Sequence, residues 1–271
     1  MNKTRLDILL TERGLTESRE RAKALIMSGS VFVNGAKAEK AGMQAGHDAT
    51  VEITAAPVYV SRGGLKLEKA LDYFKVSPDG KVCVDCGAST GGFTDCLLKN
   101  GARHIYAIDV GYGQLAWQLR KDERVTVMER TNIRNVTADM LDMRPEFAVA
   151  DVSFISLGLV LPVIRKILAE QEKPGEPAAA GNVICLIKPQ FEAGRGKVGK
   201  KGVVREPQTH IEVLEGFIQN ADKSGFSIKG LTHSPVKGPE GNIEYLGWLS
   251  TSVGNAKINI KNIVSESHEG F

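Results

Sequence analysis

The run Val82-Cys83-Val84-Asp85-Cys86-Gly87-Ala88-Ser89-Thr90-Gly91-Gly92-Phe93-Thr94-Asp95 constrains the fold more than any other stretch. A short apolar strand ends in an acid, a glycine-rich turn follows, and an amphipathic helix begins. Such a turn lets backbone approach a nucleotide-like ligand, with helix N–H groups pointing at it. A second strand, His104-Ile105-Tyr106-Ala107-Ile108-Asp109, also ends in an acid. That acid is placed to bind a ribose hydroxyl pair.

From Ser61 onward, helical and strand patterns alternate. A helix is predicted from about Gly64 to Phe74, and strands near 81–86, 104–109, 124–128 and 147–151. Further helices are predicted from Leu157 to Glu170 and from Glu206 to Lys223. A Pro/Gly/Ala loop spans Lys173 to Gly181. Val183-Ile184-Cys185-Leu186-Ile187 reads as a strand covered on both faces. The tail carries strands near 226–232 and 244–250. This alternation predicts a doubly wound, Rossmann-like α/β sheet.

Residues 1–53 have a different pattern. Leu6, Leu9 and Leu10 predict a short helix, and Glu17 to Met27 a second one stopped by Gly29. Val31-Phe32-Val33 leads into Asn34-Gly35, a strong hairpin signal, and Val51-Glu52-Ile53 returns. The expected organisation is a small α+β domain over 1–53, a linker over 54–60 and the α/β domain over 61–271.

The turn at Asp85 lacks the dinucleotide pattern G-x-G-x-x-G, since Ser89 stands at its second glycine. A strand-end acid would also repel a pyrophosphate. It suits the ammonium and sulfonium of S-adenosylmethionine, which is therefore favoured over a nicotinamide cofactor. The candidate cofactor residues are Asp85, Gly87, Ala88, Ser89, Gly91, Gly92, Phe93, Thr94, Asp109, Val110, Asn132 and Asp151. In doubly wound sheets ligands sit at the carboxyl ends of strands. Asp151, ending the fourth strand, and Lys188, ending the fifth, would flank the cofactor's reactive end.

The chain of 271 residues has a net charge of +3, weak support for a polyanionic partner. No apolar run reaches the roughly 18 residues of a membrane span. The acids Asp7 and Glu12 argue against a signal peptide. Cys83 and Cys86 form a C-x-x-C pair, but residues three apart in a strand face opposite sides. All four cysteines therefore read as buried hydrophobes in a reducing cytoplasm, with no metal. Trp117 and Trp248 read as core residues.

The first 53 residues resemble the S4-like RNA-binding domain. The match lies in Arg5-Leu6-Asp7, Leu15-Thr16-Glu17-Ser18-Arg19, Ala22, Leu25-Ile26, Gly29 and Val31 to Gly35. The resemblance implies RNA docking by phosphate contacts and shape. Further peptides are Ser61 to Leu67, Asp85 to Thr94, Asp109 to Leu115, Asp151 to Leu157, Lys188 to Glu192, and Gly241 to Tyr245. They resemble the TlyA family of ribosomal RNA 2′-O-methyltransferases, part of the wider FtsJ-like group. The resemblance implies a catalytic set of Lys66, Asp151, Lys188 and Glu244, with ribosomal RNA or ribosomal subunits as partner. It implies cytidine in small- or large-subunit RNA as substrate. Lys188 would act as general base or stay charged and stabilise the emerging alkoxide.

The RNA-binding candidates are Arg5, Arg19, Arg21 and Lys23 in the first domain, with Arg62 and Lys69 beyond it. Arg195, Lys197, Lys200 and Lys201 lie in the base- and glycine-rich stretch Gly194 to Arg205, read as a loop that closes over RNA phosphate. A monomer is expected. Two rivals are an RNA-binding protein on an inactive cofactor fold and a membrane-active hemolysin, a label family members often carry. The intact four-residue set argues against the first. The lack of a membrane span or a strongly cationic amphipathic helix argues against the second.

Overall fold

A computed structural model describes residues 3–54, 58–169, 180–194, 196–199, 201–238 and 240–270. The chain divides into two compact units after Gly64. The first contains β1 (Lys3–Arg5), α1 (Leu6–Glu12), α2 (Arg19–Met27), β2 (Val31–Val33), β3 (Ala36–Lys37), β4 (Gln44–Gly46) and β5 (Val51–Ile53). Ser18 Oγ caps α2 by accepting the Arg21 N–H at 3.2 Å. Asn34 and Gly35 both take positive φ and join β2 to β3, while β5 pairs on the other side of β2. Leu6, Leu9, Leu10, Ala22, Leu25 and Ile26 form the core with Val31 and Val33. The β1–β4 ladder was not anticipated, because Lys3–Arg5 and Gln44–Gly46 lack the apolar β-branched residues that mark β2 and β5.

Within this unit Asp7 is completely buried and accepts hydrogen bonds from the Arg5 and Arg19 guanidiniums, each at 3.0 Å. The Arg5 hydrogen bonds, joined by Arg19, hold its carboxyl down to about 2. A carboxyl depressed on folding stabilises fully above its unfolded pKa and loses that contribution as pH falls through the folded value. Both arginines are nearly half exposed, so solvent screening trims the effect to about 1 kcal/mol. Urea unfolding of the full chain at pH 5 and at pH 2.5 should show this loss, and Asp7→Asn should shrink the difference.

The second unit is built on a seven-stranded sheet. Its strands in chain order are β6 (Val82–Cys86), β7 (His104–Ile108), β8 (Val125–Met128), β9 (Phe147–Ala150), β10 (Asn182–Ile187), β11 (Ser227–His233) and β12 (Tyr245–Ser250). Across the sheet they run β11-β12-β10-β9-β6-β7-β8. The ladders from β10 to β8 are parallel, and β12 runs antiparallel to both its neighbours. The chain first builds outward from β6 to β8, then returns to place β9 on the other side of β6. That reversal opens a crevice at the carboxyl ends of β6 and β9.

The helices are α3 (Gly63–Phe74), α4 (Gly92–Lys99), α5 (Trp117–Arg120), α6 (Leu161–Ala169), α7 (Pro189–Glu192), α8 (Pro207–Lys223) and α9 (Ile260–Glu269). The helix expected from Leu157 begins instead as a single 3-10 turn, Leu157–Leu159, capped by Ser156 Oγ. Pro162 then sits in the first turn of α6, where its missing N–H is harmless. Glu170 and most of the expected Lys173–Gly181 loop lie outside the described residues. Helix α9 was not anticipated. It is polar, and among its residues only Val264 and Ser267 are buried.

All four cysteines are free and buried. Cys86 and Cys185 pack in the main core with Tyr106, Phe217 and Leu249. Trp117 corrects the expectation of a core residue: it is 67% exposed, with the Lys121 ammonium 4.8 Å above its ring. The four-residue helix it opens turns only Leu119 inward. Trp248 is half-buried, and its Nε1 donates to Asn182 Oδ1 at 2.9 Å.

Candidate active site

The turn after β6 forms one wall of a cleft of about 390 Å³. Gly87 has φ +88, and a Cβ there would lie 2.6 Å from the Asp151 carbonyl oxygen. Only glycine allows the turn to pass so close to the end of β9. Asp109 Oδ2 accepts the Ser89 N–H at 2.8 Å, and its Oδ1 accepts the Gly111 N–H at 2.6 Å. The carboxylate is thus aimed by two backbone amides, and each oxygen keeps a lone pair for a ligand. Asn132 Oδ1 accepts the Arg134 N–H at 3.0 Å. Gly87, Ser89, Asp109, Val110, Asn132 and Asp151 all line the cleft.

The other cofactor candidates stand behind that lining. Ala88, Gly91, Gly92, Phe93 and Thr94 are buried in the turn and in α4. Asp85 is completely buried rather than open to the cleft. Its Oδ2 accepts the Thr94 hydroxyl at 2.6 Å, while Oδ1 is buried with no hydrogen-bond partner. Burial, with the Asp151 and Asp109 charges adding to it, pushes the Asp85 carboxyl up to about 7. An unsatisfied buried carboxylate oxygen beside a glycine-rich turn suits a cationic ligand group.

Strand register assembles three of the four catalytic candidates, and a helix supplies the fourth. Cys185 on β10 pairs with Ala150 on β9, and Ile187 pairs with Tyr245 on β12. Lys188, Asp151 and Glu244 therefore lie at one end of three adjacent strands, spaced by roughly 5 Å per strand. Lys188 Nζ sits 2.7 Å from Asp151 Oδ1 and donates to Ser153 Oγ at 2.8 Å. The Asp151 contact is ionic, since that oxygen makes no hydrogen bond of acceptable direction. From α3, Lys66 Nζ donates to Glu244 Oε2 at 2.5 Å. Lys66 is 7% exposed and Glu244 1%. The result is two ion pairs side by side, one sealed and one open to the cleft.

Several supporting residues were not foreseen. Ser153 holds Lys188 and was passed over because a lone serine carries no spacing signal. Asn242 is buried two residues before Glu244. Its Oδ1 accepts the Val204 N–H at 2.9 Å, and its Nδ2 donates to the Gly202 carbonyl at 2.8 Å. His210 Nε2 donates to the Val204 carbonyl at 3.1 Å. A carbonyl only accepts, so this contact sets the tautomer, and Nδ1 accepts from the Tyr245 hydroxyl at 2.9 Å. Burial lowers the His210 pKa and keeps the ring neutral. The returning end of the basic stretch is thereby pinned next to Glu244.

The RNA-binding candidates fare unevenly. Arg21 and Lys23 are exposed on α2, and Lys201 is exposed in the second unit. Four others already have partners within the protein. Arg5 and Arg19 clamp Asp7. Lys197 pairs with Glu212 on α8. Lys69 is half-buried with its ammonium facing His233 Nδ1, and desolvation lowers its pKa. Arg62 is half-buried in the first unit, while Arg195 and Lys200 lie outside the described residues.

Among the described residues no cluster of three or more His, Cys, Asp and Glu could hold a metal ion, and no helix is long and apolar enough to cross a membrane. Residues 59–251 match the FtsJ-like methyltransferase family, and residues 4–51 match the S4 domain. YqxC of Bacillus subtilis (strain 168) is 54% identical over 90% of this chain and 84% of its own. The 16S/23S rRNA (cytidine-2′-O)-methyltransferase TlyA of Mycobacterium tuberculosis (strain ATCC 25618 / H37Rv) is 42% identical over 94% of this chain and 92% of its own. A solved structure from Streptococcus thermophilus, described with the word hemolysin, is 44% identical. It superposes with a TM-score of 0.76 over 99% of this chain and 97% of its own. The chain belongs to the FtsJ-like methyltransferase family and carries an S4 domain ahead of the methyltransferase domain.

Proposed function

We propose that this protein transfers a methyl group from S-adenosylmethionine to a ribose 2′-hydroxyl of ribosomal RNA, on cytidine. The observation that supports the reading is two lysine–carboxylate pairs near the strand ends: Lys188 with Asp151, whose carboxylate lines the cleft, and Lys66 of α3 with Glu244 beside β12. The relative named as a 16S/23S rRNA (cytidine-2′-O)-methyltransferase supports the substrate class. The reading places the protein with ribosomes in the cytoplasm.

The residues present fit the cofactor. Asp109 would take the ribose diol, and the oxygens of Asp85 and Asp151 that lack a hydrogen bond would accept from the ammonium end, whose charge would favour the ionised form of Asp85. When bound, S-adenosylmethionine supplies an electrophilic methyl on a positively charged sulfur. Lys188, steadied by Asp151 and Ser153, would hold the attacking 2′-oxygen: as a neutral amine it takes the hydroxyl proton, and as an ammonium it offsets the alkoxide charge while the proton passes to water. The Lys66–Glu244 pair fixes the neighbouring wall. In-line attack needs oxygen, methyl carbon and sulfur collinear, so alignment supplies much of the rate.

Gly87→Ala drives a Cβ toward the Asp151 carbonyl at a left-handed backbone position. The account expects S-adenosylmethionine affinity to fall at least about tenfold by isothermal titration calorimetry. The S4 unit would contribute RNA affinity through phosphate contacts, with Arg21 and Lys23 exposed for that purpose. Binding to ribosomal subunits should then weaken steeply between 50 and 200 mM salt, by about tenfold or more. The test of the activity is tritiated methyl transfer to purified small and large ribosomal subunits lacking the modification. Label in 2′-O-methylcytidine is expected. Label confined to bases, or none in either subunit, overturns the reading.

A further inference from the structure

Two segments carry the groups placed at the reacting centre, and one carboxylate ties them together. The first runs from Asp151 to Ser156 after β9. The second is α7, which follows Lys188. They touch at three levels. Lys188 Nζ reaches Asp151 and Ser153 at one end. The rings of Phe154 and Phe191 lie 5.0 Å apart in the middle. At the far end Glu192 accepts from Ser156 Oγ and from the Leu157 N–H, both at 2.7 Å.

Phe154 shows why the far end matters. Its φ is +64, and its side chain is 91% exposed. A bulky residue in the left-handed region is strained, and such strain persists only where neighbouring contacts over-determine it. Little burial of the ring offsets the strain here. The restraint comes from both flanks: the Lys188 bond to Ser153 before Phe154, and the two Glu192 bonds after it. Bonds to a charged acceptor are the stronger kind. Glu192 spends one carboxylate oxygen on Ser156 and the other on the Leu157 amide, so it acts on the reaction through the residues it holds.

We propose that Glu192 is a positioning residue, whose carboxylate locks the 151–157 segment onto α7 so that Asp151 and Ser153 present Lys188 to the attacking oxygen. This rests on the methyl-transfer reading above. The rival is a cap on the 3-10 turn at Leu157 that serves stability alone.

The test uses the full chain with Glu192→Ala and the conservative Glu192→Gln. Glutamine can still accept from the Leu157 N–H and can donate to Ser156 Oγ. Three readouts are needed: kcat and KM on ribosomal subunits across pH, cofactor affinity, and amide hydrogen exchange. Misplacement by about 1 Å costs on the order of a hundredfold in rate. Glu192→Ala should lower kcat about ten- to a hundredfold, displace the pH profile of kcat, and change cofactor KM less than about threefold. Glu192→Gln should recover most of the lost kcat. Exchange over 151–157 should quicken in Glu192→Ala. A kcat within about twofold of wild type overturns the proposal. So does a loss of kcat matched by cofactor affinity with an unshifted pH profile, which is the signature of the cap. If the wild-type chain transfers no methyl, the functional reading fails by itself. Hydrogen exchange then decides the restraint, and unchanged exchange over 151–157 refutes it.

Discussion

Lys188→Ala lowers methyl transfer to ribosomal RNA about a thousandfold while cofactor affinity stays within about threefold. The asymmetry follows from position. Lys188 ends β10 and contacts Asp151 and Ser153, whereas Asp109, the carboxylate proposed to bind the diol, lies beyond β7, three strands away across β9 and β6. The substitution removes a cation from the reacting end and leaves the other end intact. Lys188→Arg separates the two chemical roles. Arginine keeps the charge and cannot release its proton in this pH range. If Lys188 accepts the hydroxyl proton, Lys188→Arg is as inactive as Lys188→Ala and its pH profile is flat. If Lys188 acts only through charge, Lys188→Arg retains measurable activity with an unshifted profile.

Lys66→Met lowers stability by about 3–5 kcal/mol, the usual consequence of leaving one member of a buried ion pair alone. Glu244 is 1% exposed, so little water reaches its carboxylate once the ammonium 2.5 Å away is gone. For a unit of this size that loss lowers the thermal midpoint by roughly 10 °C. Lys66→Met with Glu244→Leu removes both charges and should restore most of the midpoint, because an apolar pair of similar volume replaces the ion pair without an orphan. Activity should stay lost in the double variant. Scanning calorimetry on the three proteins checks the stability claim, and the methyl-transfer assay checks the other.

The sequence made the methyltransferase unit legible because its strands are buried on both faces and its turns carry glycine. The run at 183–187 is continuously apolar, the run at 82–86 is broken only by Asp85, and Gly87 marks where backbone must pass close to backbone. The four charged residues stood out inside matched peptides. Their pairing did not, because it depends on register among β9, β10 and β12 and on the packing of α3 beside them, elements far apart in the chain. Arg5 and Arg19 look like phosphate ligands in a sequence, and nothing local reveals that both close on a buried Asp7. Trp117 was misjudged because hydrophobicity alone does not tell the outer side of a one-turn helix from the inner side. The strain at Phe154 and the bonds of Glu192 were invisible for the same reason: both arise from contacts between separate loops. Asn242 sat within a quoted motif, and its burial beside the acid could have suggested a loop anchor.

Ribose-methylation mapping of ribosomal RNA distinguishes a working Lys188 from a dispensable one. Cells lacking the protein would be complemented with the wild-type chain or with Lys188→Ala, and 2′-O-methylcytidine would be located in both subunits' RNA. The account predicts that the wild-type chain restores methylation at specific cytidine riboses and that Lys188→Ala restores none. Identical maps from the two proteins would contradict it.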